Sequence, residues 1–340
     1  MIEQAILLRL ARDYADRKMK ERPTLRAVVL VGSVARAEPP LGDAIDLDLI
    51  LIDDTIPEPS FDLVRLSENV FVDAQFVRTA DYADRKALRA QPYIAPALNG
   101  ALILHDPRHY FDILQAAVRA PYNKPDNIFA RARAAFTQAQ NSINRFTLWR
   151  EDPPATPPSF DDLADFRTAL YALGQALILL SGQPGDTVGS RKFMVRYETV
   201  TRQYHPELYP LFLAALGVTN FPIADYELFL ADWLALYKAA AQRGLTDPLI
   251  NAVKRGYYER GFRALVAEGH TFNTLWLFEQ TLAACVCDLN PQPDLWQHYL
   301  RLTGKDTPLN FGERIRQAEK LLARTDETLL AWAKKESVDW

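Results

Sequence analysis

The sequence predicts an α+β protein in which a small mixed β-sheet domain is followed by an all-helical domain. Three short runs rich in β-branched and large apolar residues occur early in the chain, and Gly and Pro separate the first two. After residue 121 the pattern changes, because apolar residues then recur at spacings of three and four. Since 340 residues exceed the usual size of one domain, we expect two, at residues 1–120 and 121–340.

The first domain is predicted to begin with an amphipathic helix over residues 2–20, in which apolar side chains recur at helical spacing. The three apolar runs at residues 26–31 (RAVVLV), 45–52 (IDLDLILI) and 70–77 (VFVDAQFV) predict strands. A fourth strand is expected in residues 100–105 (GALILH). A helix should follow it, with Asp106 placed to cap its first turn.

The second domain is predicted to contain several helices and no repeat. Its predicted helices cover residues 128–149, 163–180, 225–243, 247–268, 272–288 and 311–335. The stretch EDPPATPPS between the first two is predicted to be a loop, because its four prolines cannot continue a helix.

The composition is ordinary for a soluble globular protein and favours small molecules over a polymeric nucleic acid as partners. The net charge is −4, and no long Lys/Arg stretch is present to follow a phosphate backbone, which disfavours a nucleic-acid partner. The first residues do not suit a secretory signal, and no apolar run approaches the roughly 20 residues that span a bilayer, so we expect a cytoplasmic protein without a membrane segment. Cys285 and Cys287 are two apart in a predicted helix, where their side chains diverge, and both are expected to be buried.

The candidate chemistry lies in the first domain. Alternation along a strand places Asp46 and Asp48 on one face while the leucines between and after them point to the other. Two like charges at neighbouring same-face positions repel each other and are stabilised by a cation, for which Mg²⁺ with phosphate ligands is the natural choice. The alternative is a solvent-facing edge strand that happens to carry two aspartates.

Two further features support the first interpretation. Asp73 interrupts another apolar strand, where aspartate is disfavoured, and a carboxylate from an adjacent strand could complete a two-metal site. Gly32 and Ser33 follow the first strand and can bring backbone N–H groups and a hydroxyl to a phosphate, although a Gly-Ser pair is also common in ordinary turns.

The order of these parts resembles the DNA polymerase β-like nucleotidyltransferase superfamily. VVLVGSVARAE followed by IDLDLILI is similar to its strand, Gly-Ser turn and Asp-x-Asp strand, and FVDAQFV is similar to its third-carboxylate strand. The similarity covers about residues 25–80. A catalytic domain followed by a helical domain is also similar to the layout of the aminoglycoside and lincosamide nucleotidyltransferases within that superfamily.

The resemblance implies specific roles for these residues. Asp46 and Asp48 would ligate two Mg²⁺ ions, with Mn²⁺ as an alternative, and Asp73 would ligate the catalytic ion and help to take the acceptor proton. Gly32 and Ser33 would hold the triphosphate.

Two basic residues are added to the predicted nucleotide site. Arg36 follows the Gly-Ser pair, and Lys192 lies in GSRKFMVRY after a Gly-rich loop, where it could instead be solvated. Two departures from the family pattern are present: the Gly-to-Asp spacing is about two residues longer, and Ile45 stands where a small polar residue is usual.

The predicted activity is transfer of a nucleoside monophosphate from an NTP such as ATP to a small-molecule acceptor, with release of pyrophosphate. Two alternatives stay open at this stage. One is a non-catalytic nucleotide-binding or antitoxin-like partner protein on the same fold, and the other is transfer to a protein or tRNA acceptor.

Overall fold

A computed structural model describes residues 2–185, 187, 189–244, 247–289 and 291–339. The chain divides into two compact units: the first comprises Met1–Asn127 and Gly256–Ala264, and the second comprises Ile128–Arg255 and Leu265–Trp340. This division differs from the predicted one because the first unit includes a short segment from far along the chain.

The first unit contains a five-stranded sheet, and helices occur in both units. The strands are β1 (Leu25–Leu30), β2 (Ile45–Asp53), β3 (Phe61–Arg65), β4 (Val70–Arg78) and β5 (Leu102–His105). The helices are α1 (Gln4–Glu21), α2 (Gly32–Ala35), α3 (Ile94–Gly100), α4 (Tyr110–Arg119), α5 (Pro125–Asn144), α6 (Thr147–Glu151), α7 (Phe160–Leu180), α8 (Phe193–Tyr204), α9 (Leu208–Leu216), α10 (Tyr226–Gln242), α11 (Arg255–Ala267), α12 (Thr271–Val286), α13 (Asp294–Thr303) and α14 (Pro308–Glu336).

The sheet has the strand order β3-β4-β2-β1-β5, so β2 is the central strand. β2 and β4 run parallel, whereas the other three pairs are antiparallel, and the predicted mixed sheet is therefore confirmed. The alternative of an edge strand for β2 is wrong, because β2 has neighbours on both sides. β3 was not predicted, since FDLVR is short and carries two charges in five residues.

The two faces of the sheet support two different cores. On one face, the leucines at positions 47, 49 and 51 of β2 pack with residues of α1 such as Leu7 and Tyr14. On the other face, Ala27, Val29 and Ile52 pack against α3, α4 and two short 3₁₀ turns. Because residues of a strand alternate between faces, Asp46 and Asp48 share the face of this second core.

The described part of the second unit is helical, as predicted. Three helices of 9 to 12 residues were not predicted, namely α8, α9 and α13. α9 (LYPLFLAAL) contains a proline and is apolar on nearly every side, so it lacks the alternation of faces that marks a surface helix. The helix predicted at 247–268 begins only at Arg255.

Two expectations about the second unit are wrong. α7 has 21 residues and is apolar enough to cross a membrane by length and composition, so the expectation that no apolar run approaches the length of a bilayer span is wrong. Most of its most apolar stretch is buried inside the protein, which is the behaviour of a core helix. Of the two cysteines, Cys285 is buried as expected, but Cys287 is exposed.

Candidate active site

The central strand presents Asp46 and Asp48 side by side on one face. Leu47, Leu49 and Leu51 between and after them are at most 1% exposed, whereas both aspartates keep intermediate exposure. The second core ends near Ile50, which packs against it only partly buried, so the aspartates lie at the margin of that core. This position keeps the carboxylates rigidly spaced by the strand and open to a ligand.

Asp73 lies next to Asp48 on the neighbouring parallel strand. The Cα atoms of Asp48 and Asp73 are register partners, as are those of Asp46 and Phe71. Paired residues in a sheet point to the same face, so the three aspartates share one face of two central strands. Adjacent strands lie about 4.8 Å apart, which is close enough for these carboxylates to bind the same ligand.

The space beside Gly32 that a side chain would fill is occupied by Asp48. Its φ of +73° is one that other residues rarely adopt. A Cβ atom added at Gly32 would lie 2.0 Å from Oδ2 of Asp48, so the carboxylate occupies the space that a side chain would fill. The backbone N–H of Val31 also donates to the carbonyl oxygen of Asp48, at 2.9 Å. The Gly-Ser turn at the start of α2 therefore packs directly against the Asp-x-Asp segment of β2.

Ser33 and Arg36 belong to the single helical turn of α2 and its cap. The carbonyl oxygen of Ser33 accepts a hydrogen bond from the Glu38 N–H at 2.9 Å, which closes the turn. Arg36 Nε lies 2.7 Å from Glu38 Oε1, and both side chains are 21% exposed. The guanidinium predicted to bind nucleotide is therefore held by a carboxylate of its own loop.

Lys192 belongs to the second unit, where it occupies the N-cap position of α8. Its backbone N–H donates to Ser190 Oγ at 3.1 Å. The expected contact of Lys192 with the triphosphate stays a prediction.

The segment Gly256–Ala264 of α11 was not recognised as part of the site region. The ring of Tyr257 meets the ring of Phe71 edge-on, with centroids 5.3 Å apart, and Phe71 is the register partner of Asp46. Arg260 Nη1 donates to Asn69 Oδ1 at 2.8 Å, in the turn between β3 and β4. This segment therefore braces the beginnings of β2 and β4, from which the aspartates project.

A second contact explains a glycine in the loop before β2. A Cβ atom on Gly42 would lie 2.3 Å from the carbonyl oxygen of Arg260, and Gly42 has a φ of +64°. GYYERGFRA carries no sequence signal for such packing, because it lies between helices of the second unit along the chain.

The prediction that Asp106 caps the first turn of the following helix is confirmed. Its carboxylate accepts hydrogen bonds of 2.9 Å from the backbone N–H groups of Tyr110, Phe111 and Asp112. These donors have no partner inside the first turn of a helix, so the carboxylate caps α4.

The three aspartates offer the oxygen ligands that a hard divalent ion prefers. Among the described residues, no group of three or more His, Cys, Asp and Glu side chains is arranged so that it could hold a metal ion as it stands. The register of β2 and β4 brings the three aspartates onto one face of the sheet, but their side chains do not form such a group.

No protein-family model and no curated protein matches the chain. Among solved structures, the chain is similar to a nucleotidyltransferase-like protein from Exiguobacterium sibiricum 255-15, with 14% sequence identity, coverage of 80% of this chain and 78% of that chain, and a TM-score of 0.32. At this TM-score the likeness carries no argument about the site or its chemistry.

Proposed function

We propose that the protein is a Mg²⁺-dependent nucleotidyltransferase that transfers a nucleoside monophosphate from an NTP to a small-molecule acceptor. The observation that supports this most is the register of the sheet, which puts Asp48 beside Asp73 and Asp46 on the same face. Three carboxylates on one sheet face are unfavourable unless something positive joins them. A protein that only binds a nucleotide has no need of this arrangement.

The Gly32 turn supports the same proposal. The space that Gly32 leaves for the Asp48 carboxylate places the half-buried first residues of α2 next to Asp48. A triphosphate held by the backbone N–H groups and the hydroxyl of Ser33 would then lie beside Asp48.

In the proposed reaction, an acceptor hydroxyl oxygen forms a bond to the α-phosphorus, and the bond from that phosphorus to the pyrophosphate oxygen breaks. Two bound Mg²⁺ ions, or Mn²⁺, would supply charge neutralisation for the phosphates and would make the acceptor hydroxyl more acidic. Asp46 and Asp48 would hold both ions, and Asp73 would hold one of them and accept the acceptor proton. The protein contributes positioning and fixed charge rather than a covalent intermediate.

The test is a pyrophosphate-release assay on the full chain, with each NTP, a panel of hydroxyl-bearing acceptors, and Mg²⁺ or EDTA. We expect Mg²⁺-dependent release with at least one acceptor, and a loss of at least about 10³-fold in Asp48→Asn. Asp112→Asn serves as control, because this helical carboxylate is 61% exposed and lies outside the site.

Three results would count against the proposal. Release that persists in Asp46→Asn, Asp48→Asn and Asp73→Asn would exclude these residues as the catalytic carboxylates. NTP binding without release under any condition would favour a non-catalytic partner protein. Incorporation of labelled nucleotide into protein or tRNA from a lysate, without reaction on small molecules, would show that the acceptor is a macromolecule and not a small molecule.

A further inference from the structure

The sheet face that carries the three aspartates also carries an arginine, Arg65. Arg65 is the last residue of β3, an edge strand, and it is exposed. It is the register partner of Phe71, which is the partner of Asp46, so Arg65 and the aspartates share one face. Leu63, two residues earlier, is the partner of Asp73.

The spacing puts Arg65 within reach of Asp73. Diagonal neighbours on one face of an antiparallel pair are about 7–8 Å apart, a distance that long side chains span. Arg65 and Asp73 are such diagonal neighbours on β3 and β4. A guanidinium at this position can approach the carboxylates from the open edge of the sheet.

Besides Arg65, the strand residues that the structure describes include two arginines and no lysine. Arg26 and Arg78 both lie at the opposite end of the sheet. Arg26 follows Leu25, whose register partner is Asp53, and Asp53 is also the partner of Arg78. Arg26 forms an ion pair there with Asp54, and Arg78 is 3.6 Å from Asp81. Of the strand residues described, Arg65 is thus the one cation near the three acidic residues.

We propose that Arg65 is a positioning residue that acts as the counter-charge of the carboxylate cluster in the ion-free protein and gives way when divalent ions bind. The part of this inference that concerns ion binding rests on the proposed function. The part that concerns the interaction of Arg65 with the carboxylates does not. Three carboxylates on neighbouring positions repel one another, and one nearby guanidinium reduces that repulsion. The same guanidinium competes with a cation for the carboxylates, so Arg65 weakens ion binding while it stabilises the ion-free site.

The first test measures Mn²⁺ binding to the full chain by titration calorimetry, without nucleotide. We expect Arg65→Ala to tighten Mn²⁺ binding about three- to tenfold, which is the effect of one unit charge on a divalent ion some 7 Å away near a surface. Arg65→Lys keeps the charge and should stay near the wild type. Arg78→Ala is the matched control, because this exposed arginine lies on the same sheet at its other end. Equal affinities in Arg65→Ala and Arg78→Ala would overturn the proposal.

The second test needs neither an ion nor activity. It compares the urea midpoints of Arg65→Ala, Asp73→Asn and the double variant in EDTA. We expect Arg65→Ala to lower the midpoint by about 0.2–0.5 M in the wild-type background. In the Asp73→Asn background the shift should largely disappear, because one of the repelling charges has gone.

Together the two tests separate this inference from the proposed function. Equal shifts of the midpoint in both backgrounds would show that Arg65 is not the counter-charge. If the protein binds no Mn²⁺ but the stability effects of Arg65 and Asp73 remain coupled, the counter-charge role of Arg65 would stand. The metal dependence in the proposed function would then be wrong.

Discussion

The two ends of β2 both carry carboxylates, but the protein treats them differently. At the end of the strand, Asp53 is completely buried. Arg22 Nε donates to it at 2.8 Å and the backbone N–H of Thr55 at 3.1 Å. Burial alone would raise the pKa of Asp53, but hydrogen bonds from Thr24, Thr55 and Arg22 outweigh it and lower the pKa. This carboxylate holds the fold together.

At the beginning of the strand, Asp46 and Asp48 remain partly exposed at the margin of a core. Hydrogen-bond donors surround the Asp53 carboxylate. The carboxylates of Asp46 and Asp48, in contrast, stay partly accessible to solvent and share their sheet face with Asp73 on β4. A buried charge must be satisfied by the protein itself, but a half-exposed cluster can be completed by a ligand. The contrast therefore separates a carboxylate that stabilises the fold from carboxylates for which we propose a binding role.

The largest expected effect of a single change is on stability and lies at the buried end. We expect Asp53→Asn to lower the free energy of unfolding by about 2–4 kcal/mol, because Arg22 loses its buried partner. Urea unfolding followed by circular dichroism measures this. Asp54→Asn is the control, since the neighbouring Asp54 side chain is 38% exposed and should matter much less. Equal losses in the two variants would break the contrast between buried and exposed carboxylates.

The next effect tests the fit between the turn and the strand. Gly32→Ala should lower the free energy of unfolding by about 2–3 kcal/mol, because a left-handed φ and a clash with Asp48 both oppose a side chain. Gly182→Ala isolates the first cause: Gly182 has a φ of +76°, and nothing lies within 4 Å of its added Cβ. We expect about 1–2 kcal/mol there.

A double variant isolates the second cause. Removing the carboxylate in Asp48→Ala should reduce the loss caused by Gly32→Ala to that of Gly182→Ala, as measured by urea unfolding. If the loss is the same with and without the carboxylate, Gly32 is required only for its backbone conformation.

The sequence predicted the acidic face well because strand alternation is a local property. IDLDLILI has a two-residue period, so the shared face of Asp46 and Asp48 follows from sequence spacing alone. The α+β class is likewise confirmed, since β-branched runs and helical spacing are read within short windows.

The remaining features depend on contacts between distant residues. The pairing of Asp48 with Asp73 requires β4 to run parallel to β2, and that connection passes through β3, whose five residues give little signal. The packing of Tyr257 on Phe71 joins positions 186 residues apart by number. The role of Gly32 could not be predicted either, because Asp48, the residue that fills its side-chain space, lies on β2, after the intervening loop.

A smaller effect concerns pH and again belongs to the buried end. Because the folded state lowers the pKa of Asp53 below its ordinary value of 3.8, Asp53 stabilises the fold at higher pH, and this stabilisation is lost as pH falls through the folded pKa. The difference in urea midpoint between wild type and Asp53→Asn should therefore be constant above about pH 4 and should shrink below it. A difference that stays constant down to pH 2.5 would contradict this assignment.

The smallest expected change in stability lies at the open end of the strand. Asp46→Asn should alter the free energy of unfolding of the ion-free protein by no more than about 0.5 kcal/mol, and its sign should favour the variant, because one of three like charges is removed. The same substitution should abolish nucleotide transfer if Asp46 holds the ions. Asp53→Asn should show the reverse, with reduced stability and normal activity per folded molecule. Unfolding in EDTA and pyrophosphate release, measured on the same preparations, check both halves. A loss of stability in Asp46→Asn as large as that in Asp53→Asn would mean that the open carboxylates also hold the fold together, and the distinction between the two ends of β2 would fail.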